Sequence, residues 1–287
     1  MIGLEAGTTA PDGAGGSRTP GAHRYGQPGQ DSHRERGLIL FARYAYPPNE
    51  LGYCGPADHQ ALLGYGTAGV SDPGLVQLAR SFEGPYPYLT LIAGAAGLND
   101  PFDVRAVEAY WLGNQLLDQI DTTSFGNVLM DRFRRITGPS WRYLAETIPA
   151  GSLPHHAFHV FGVYPWVGLL ASGRTDHPLH VLDRCRIRWG RVVVVEGDLV
   201  VVRSRALTWD GRRLGLGAPQ LETVRRALDG ASFAGELQPG QWVSLHWDWI
   251  CDRLTPRQLA NLRGYTLRQL DITNEKVAHS GPARALS

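Results

Sequence analysis

Residues 185–205 read CRIRWGRVVVVEGDLVVVRSR. Arg186 to Val195 and Leu199 to Arg205 are rich in Val and Ile, and Glu196-Gly197-Asp198 between them is a tight-turn signal. β-Branched side chains suit the pleated surface of a sheet, so the stretch predicts two strands joined by a short turn. Working outward, Trp209-Asp210-Gly211-Arg212 is a second turn with Asp-Gly at its centre. Glu222 to Leu228 and Trp242 to Trp247 are further strand candidates, the last preceded by Pro239-Gly240. Several short strands with closely spaced turns predict a small barrel. A helix is expected at Thr255-Pro256-Arg257-Gln258, where Thr caps, Pro takes the first helical position and Gln closes a capping box. Leu259, Leu262 and Leu270 give it an apolar side, and the tail after Thr273 is expected to be loose.

Upstream the pattern is mostly helical, from Gly37 to about His180. Asp72-Pro73 reads as a cap and a first-turn proline before Leu75, Leu78, Ala79 and Phe82. Asp100-Pro101 repeats the signal before Val104, Val107, Trp111 and Ile120. Ser124 is expected to cap a helix carrying Val128, Leu129 and Ile136, and Pro139 to open another with Trp141 and Leu144. Residues 1–36 are rich in Gly, Pro, Ser, Thr and charge, with too little apolar surface to offset the entropy of ordering. The expected class is therefore α+β: a disordered arm over 1–36, a helical domain over 37–181, an OB-like barrel with a helix over 182–273, and a flexible tail over 274–287.

The chain of 287 residues is 43% hydrophobic and 19% charged, which is ordinary globular composition. A net charge of +1 carries no general signal for nucleic acid or an acidic membrane. Three widely spaced cysteines, Cys54, Cys185 and Cys251, do not form a disulfide framework and fit a reducing compartment. The most apolar stretch, Phe158 to Ala171, is shorter than the ~20 residues of a membrane span, and the N-terminus shows no basic region followed by an apolar run. A cytoplasmic protein without a membrane partner is expected.

The segment Cys185-Arg186-Ile187-Arg188-Trp189-Gly190-Arg191-Val192 resembles the opening of the HypC/HupF family of nickel–iron hydrogenase assembly chaperones. That family begins with Cys, three residues, Pro and then Gly-x-Val; Trp189 stands here in place of the proline. The Gly197-Asp198 turn, the second Val-rich strand and the later Gly240-Gln241-Trp242-Val243-Ser244-Leu245-His246 follow in family order, with Gln241 where Asp is usual. The resemblance spans about Leu182 to Leu270 and implies a small OB-like barrel that holds or guards an iron–dicyanide–carbonyl unit. Its partners would be the hydrogenase large-subunit precursor or other maturation factors. The family's essential Cys and its iron-proximal His would fall on Cys185 and His246. In three respects the chain departs from the family. Cys185 is internal rather than N-terminal, Thr208 to Pro219 reads as an inserted hairpin, and Trp247-Asp248 replaces the usual Ala-Gly.

A thiolate and an imidazole make a sensible ligand pair for low-spin iron. Neighbouring Arg184, Arg186 and Arg188 would favour the thiolate and reach cyanide nitrogens. A second cluster is His155, His156 and His159; His155 and His159 share a face if helical, but their aromatic surroundings favour a packed structural role. A third is Cys54 with His59, where Gly55-Pro56 reads as a helix start that would stabilise a thiolate. These two clusters carry the rival reading of a thiol- or metal-dependent hydrolase. The other rival is a single-stranded nucleic-acid module: eight arginines and three acids lie between Arg184 and Arg213, and Trp189 and Trp209 would stack bases. Nucleic acid is disfavoured because the rest of the chain restores near-neutral charge.

Overall fold

The computed structural model describes residues 28–121, 123–129 and 151–279. Helices and strands are mixed, with a five-stranded sheet in the C-terminal half. The expected helices opened by Pro139 and extended to Ile136, and the arm over 1–27, lie outside the described residues.

The first helix, α1 (Pro28–Glu50), begins within the segment expected to be disordered. Its middle is buried almost all round: Leu38, Phe41, Ala42, Tyr44, Ala45 and Tyr46 are each at most 2% exposed. A helix buried on every side shows no amphipathic stripe, so its polar first turns read like the arm before it. It packs on α2 (His59–Ala68), α3 (Pro73–Arg80) and α5 (Val104–Trp111). Between the last two runs α4 (Tyr86–Ala95).

Asp72 and Pro73 cap and open α3 as read, with the Asp72 carboxylate accepting from the Leu75 N–H at 3.0 Å. Asp100 accepts from Phe102 N–H in a turn, and Asp103 caps α5 instead. Asp121, not Ser124, caps the helix over 123–129, accepting from the Ser124 N–H. Among the described residues no helix is long and apolar enough to cross a membrane.

Downstream come α7 (Trp166–Ala171) and α8 (Asp176–Cys185), then β1 (Arg188–Glu196), β2 (Leu199–Trp209) and β3 (Leu214–Arg225); the helix over 123–129 is α6. A two-stranded ladder, β4 (Ala227–Leu228) with β5 (Ala231–Ser232), precedes β6 (Trp242–His246) and β7 (Trp249–Arg253). Strand order in the sheet is β1-β2-β3-β7-β6, and β6 pairs back to β1. β3 meets β7 through a single parallel pair, Arg225↔Trp249. The strands thus form a strongly curled sheet joined edge to edge at one point, where an OB-like barrel was expected. Gly190 lets β1 pass close to the apolar sheet interior: a Cβ there would lie 3.0 Å from Val202 Cβ, so a side chain would make Val202 and Leu245 shift.

The inserted hairpin is the long outer end of β2 and β3, turned by Asp210, which accepts from the Arg212 and Arg213 N–H groups. The last helix, α9 (Pro256–Ala278), has the capping box read at Thr255 and Gln258. It runs into the segment expected to be a loose tail, to Ala278, because Asn274 is buried and bonds both backbone groups of Leu214, at 2.8 and 2.9 Å. One apolar core crosses the composition break near Leu182. It joins the helices to Ile187, Trp189, Trp249, Cys251, Leu259 and Leu262.

Candidate metal centre

Where α1, α5, α8 and β6 end, they enclose a chamber of about 30 Å³. His156, His159, Cys185, His246, Cys54, Tyr110, Trp111 and Tyr164 are among the groups that line it. Within it one ligand atom from each of His156, Cys185 and His246 lies within 4.8 Å of the others. Among the described residues this is the one His/Cys/carboxylate group so arranged.

Cys185 is the last residue of α8 rather than the first of a strand; the chain turns extended at Arg186 before entering β1. Its carbonyl, freed at the helix end, accepts from His156 Nε2–H at 2.8 Å. A carbonyl only accepts, so the proton sits on His156 Nε2, and Nδ1 keeps its lone pair beside the Tyr110 hydroxyl at 3.3 Å. His246 is the last residue of β6 and fully buried. Its Nδ1–H donates to the Tyr44 carbonyl at 2.7 Å. Tyr44 would normally bond the N–H four residues on, but that residue is Pro48, which has none. His246 Nε2 is buried towards the Cys185 carbonyl but makes no well-formed hydrogen bond. One ring nitrogen bonded to a carbonyl and the other left without a well-formed bond is the arrangement that orients a metal-binding histidine.

Trp247 follows His246 with φ of +52°, a left-handed conformation unfavourable for a bulky residue. Its N–H donates to the Arg184 carbonyl, its carbonyl accepts from Arg188, and its ring stacks on Tyr53 at 4.3 Å. Burial lowers the pKa of His156 to about 4 and that of His246 well below its ordinary value, so both rings are neutral, the ligand form.

The three arginines do not serve Cys185 as expected. Arg186 bonds Asp183 and the Arg205 carbonyl; Arg184 and Arg188 both bond Glu222. Burial pushes the Cys185 thiol well above its ordinary pKa, opposite to the expected lowering. A bound cation would be needed to draw off its proton.

Cys54 is not at a helix start: α2 begins at His59, capped by Asp58. Burial pushes its thiol up to about 12. It lines the chamber with Cys185, whereas His59 does not. Among the described residues no hydrogen bond joins His59 to Cys54. His155 and His159 do not share a helical face. His155 lies before the turn His156–Phe158 as its cap, with φ −115° and ψ 149°, and stacks on Tyr265. His159 opens a π-turn, His159–Val163, and contacts Tyr88. The residue between them, His156, is the one that joins the cluster. Trp189 is buried with Arg263 over its ring, so it offers no base-stacking face.

No curated protein and no solved structure matches the chain. A family model described as a family of unknown function matches residues 33–280, a span that includes every residue lining the chamber, and the chain belongs to that family, DUF6390.

Proposed function

We propose that this protein is a metal-handling assembly factor that holds a soft metal centre on Cys185, His246 and His156. The observation that carries the reading is convergence. A helix end, a strand end and an interior turn bring one sulfur and two imidazole nitrogens within 4.8 Å of one another in an enclosed chamber. Such donors suit zinc, copper or iron; magnesium and calcium take oxygen ligands.

The finer reading is an accessory chaperone of nickel–iron hydrogenase maturation, with the iron–dicyanide–carbonyl unit as cargo and the large-subunit precursor or another maturation factor as partner. Its support is the HypC/HupF resemblance over Leu182 to Leu270, whose Cys and His fall on two members of the cluster, together with an OB-like reading of the curled sheet. The donor set suits that cargo, and His246 Nε2, without a well-formed hydrogen bond, offers it a ligand. The enclosed 30 Å³ admits a water or a bare ion. A fragment carrying three diatomic ligands is larger than that volume, so it enters only if the chamber widens.

The test is metal content of the full chain after anaerobic reconstitution with zinc(II) or iron(II), alongside circular dichroism. About one ion per chain is expected for the wild type, with loss in folded Cys185→Ser and weakened retention in His246→Ala. A metal-free wild type sinks the reading. Complementation of a host lacking the native copy tests the finer statement: full hydrogenase activity with Cys185→Ser removes the cargo role.

A further inference from the structure

A divalent ion in this chamber meets a charge problem. Asp and Glu are absent from its lining, and burial of an uncompensated charge is costly. Cys185 as thiolate supplies one negative charge and two neutral imidazoles supply none, so the ion would keep a net positive charge. Arg188 is near enough to oppose a positive charge on His246. A second anion would offset that charge, and Cys54 and the tyrosines are the acidic groups on the wall. A thiol has an ordinary pKa of about 8.5 against about 10 for a phenol, and thiolate is the softer donor.

We infer that Cys54 is the second thiolate, completing a closed Cys₂His₂ site with His156, Cys185 and His246 when a bare divalent ion is bound. The inference rests on the metal-binding reading above. Coordination releases two thiol protons to solvent, and two thiolates with a divalent ion leave the chamber neutral. Four ligands of this type match the tetrahedral preference of zinc(II).

The loop that carries Cys54 is built to present it. Asn49 donates to both the Cys54 and the Pro56 carbonyls, at 2.7 and 2.6 Å. Gly55 has φ of +84°, and a Cβ there would lie 2.3 Å from the Phe82 ring, so the chain turns where only glycine fits. Tyr53 ties the loop to Trp247, the neighbour of His246. Cys54 stands outside the group whose ligand atoms all lie within 4.8 Å, so ion binding draws the loop inward.

The experiment uses the full chain and cobalt(II), whose sulfur-to-metal absorption reports the number of bound thiolates. Wild type is expected to show a tetrahedral spectrum with two thiolates per ion, and Cys54→Ser and Cys185→Ser each to lose about half of the charge-transfer intensity. A second measurement needs no variant: cobalt(II) should protect Cys54 from maleimide labelling and a chelator should restore it, with each cysteine read by peptide mass. One thiolate per ion in the wild type, or equal labelling of Cys54 with and without cobalt(II), overturns the assignment while leaving the three-ligand site. No cobalt(II) uptake overturns both.

Discussion

His246 Nδ1 donates to the Tyr44 carbonyl across 202 residues of sequence, and that carbonyl is available because Pro48 has no N–H to return to it. The Tyr44 hydroxyl meets Ser244 Oγ at 2.7 Å, so one residue of α1 holds β6 at two points. A proline in the last turn of a helix thus sets the orientation and tautomer of a histidine on a distant strand.

Pro48→Ala is therefore expected to act on the site rather than on the fold. The new N–H competes for the Tyr44 carbonyl and loosens His246. Loss of an outer partner of a ligating histidine costs about 10–100-fold in metal affinity. Competition against a chromophoric chelator should show weaker zinc(II) binding with an unchanged or raised melting temperature. Equal affinity would show that the carbonyl does not hold the ring.

Glu222 is a second test, one step out from the ligands: it bonds Arg184, which precedes Cys185, and Arg188, which bonds the Trp247 carbonyl beside His246. Burial pushes its carboxyl up, but Arg188, Ser204 and Arg184 outweigh this and hold its pKa below the usual value. Arg188 is 2% exposed. Glu222→Gln should cost about 3 kcal/mol, because it leaves that guanidinium buried without its carboxylate. The sign with pH follows from a folded pKa below the unfolded one. The contribution is complete above the unfolded carboxylate value, about 4.3, and is lost as pH falls through the depressed folded value. Urea titrations between pH 7 and pH 3 should show a steeper acid loss for the wild type than for the variant. Parallel curves would remove Glu222 from the account.

The shared core makes a prediction about dissection. A fragment of residues 182–279 would expose Ile187, Trp189, Trp249 and Cys251, which the helices cover in the whole chain. It should lack a cooperative urea transition and bind hydrophobic dyes. A sharp two-state transition would mean that the curled sheet is an independent domain.

Asn274 anchors the end of α9 to the outer hairpin. Asn274→Ala leaves the Leu214 N–H and carbonyl unpaired in a buried setting, at about 1–3 kcal/mol. Chemical denaturation should show that loss, and hydrogen exchange should quicken around Leu214. A change below about 0.5 kcal/mol would mean that water replaces the amide.

Much of the secondary structure was legible without the fold. The Val-rich runs of β1 and β2, the Gly197 turn, the Asp72-Pro73 start and the Thr255 capping box are signals carried by residues a few positions apart. The convergence of Cys185 and His246 followed from a family resemblance, and the structure places them together, though with Cys185 on a helix end. Spacing misled at the histidines. His155 and His159 are four apart, but His155 sits before the helical turn and a π-turn begins at His159, so helical arithmetic did not hold there.

What the sequence by itself determined is the set of local elements: hydrogen bonds between near neighbours and the period of apolar residues select helix, strand and turn. What only the tertiary structure decided is which elements share an end. His156 became a cluster member, Cys54 moved from a separate pairing with His59 to the wall of the same chamber, and Arg184, Arg186 and Arg188 were taken by Asp183 and Glu222 rather than by Cys185. Apart from the Arg186–Asp183 pair, three positions apart, each outcome depends on contacts between residues tens to hundreds of positions apart. Those contacts are set by how buried surfaces pack and how buried charges find partners, and neither leaves a period in the sequence.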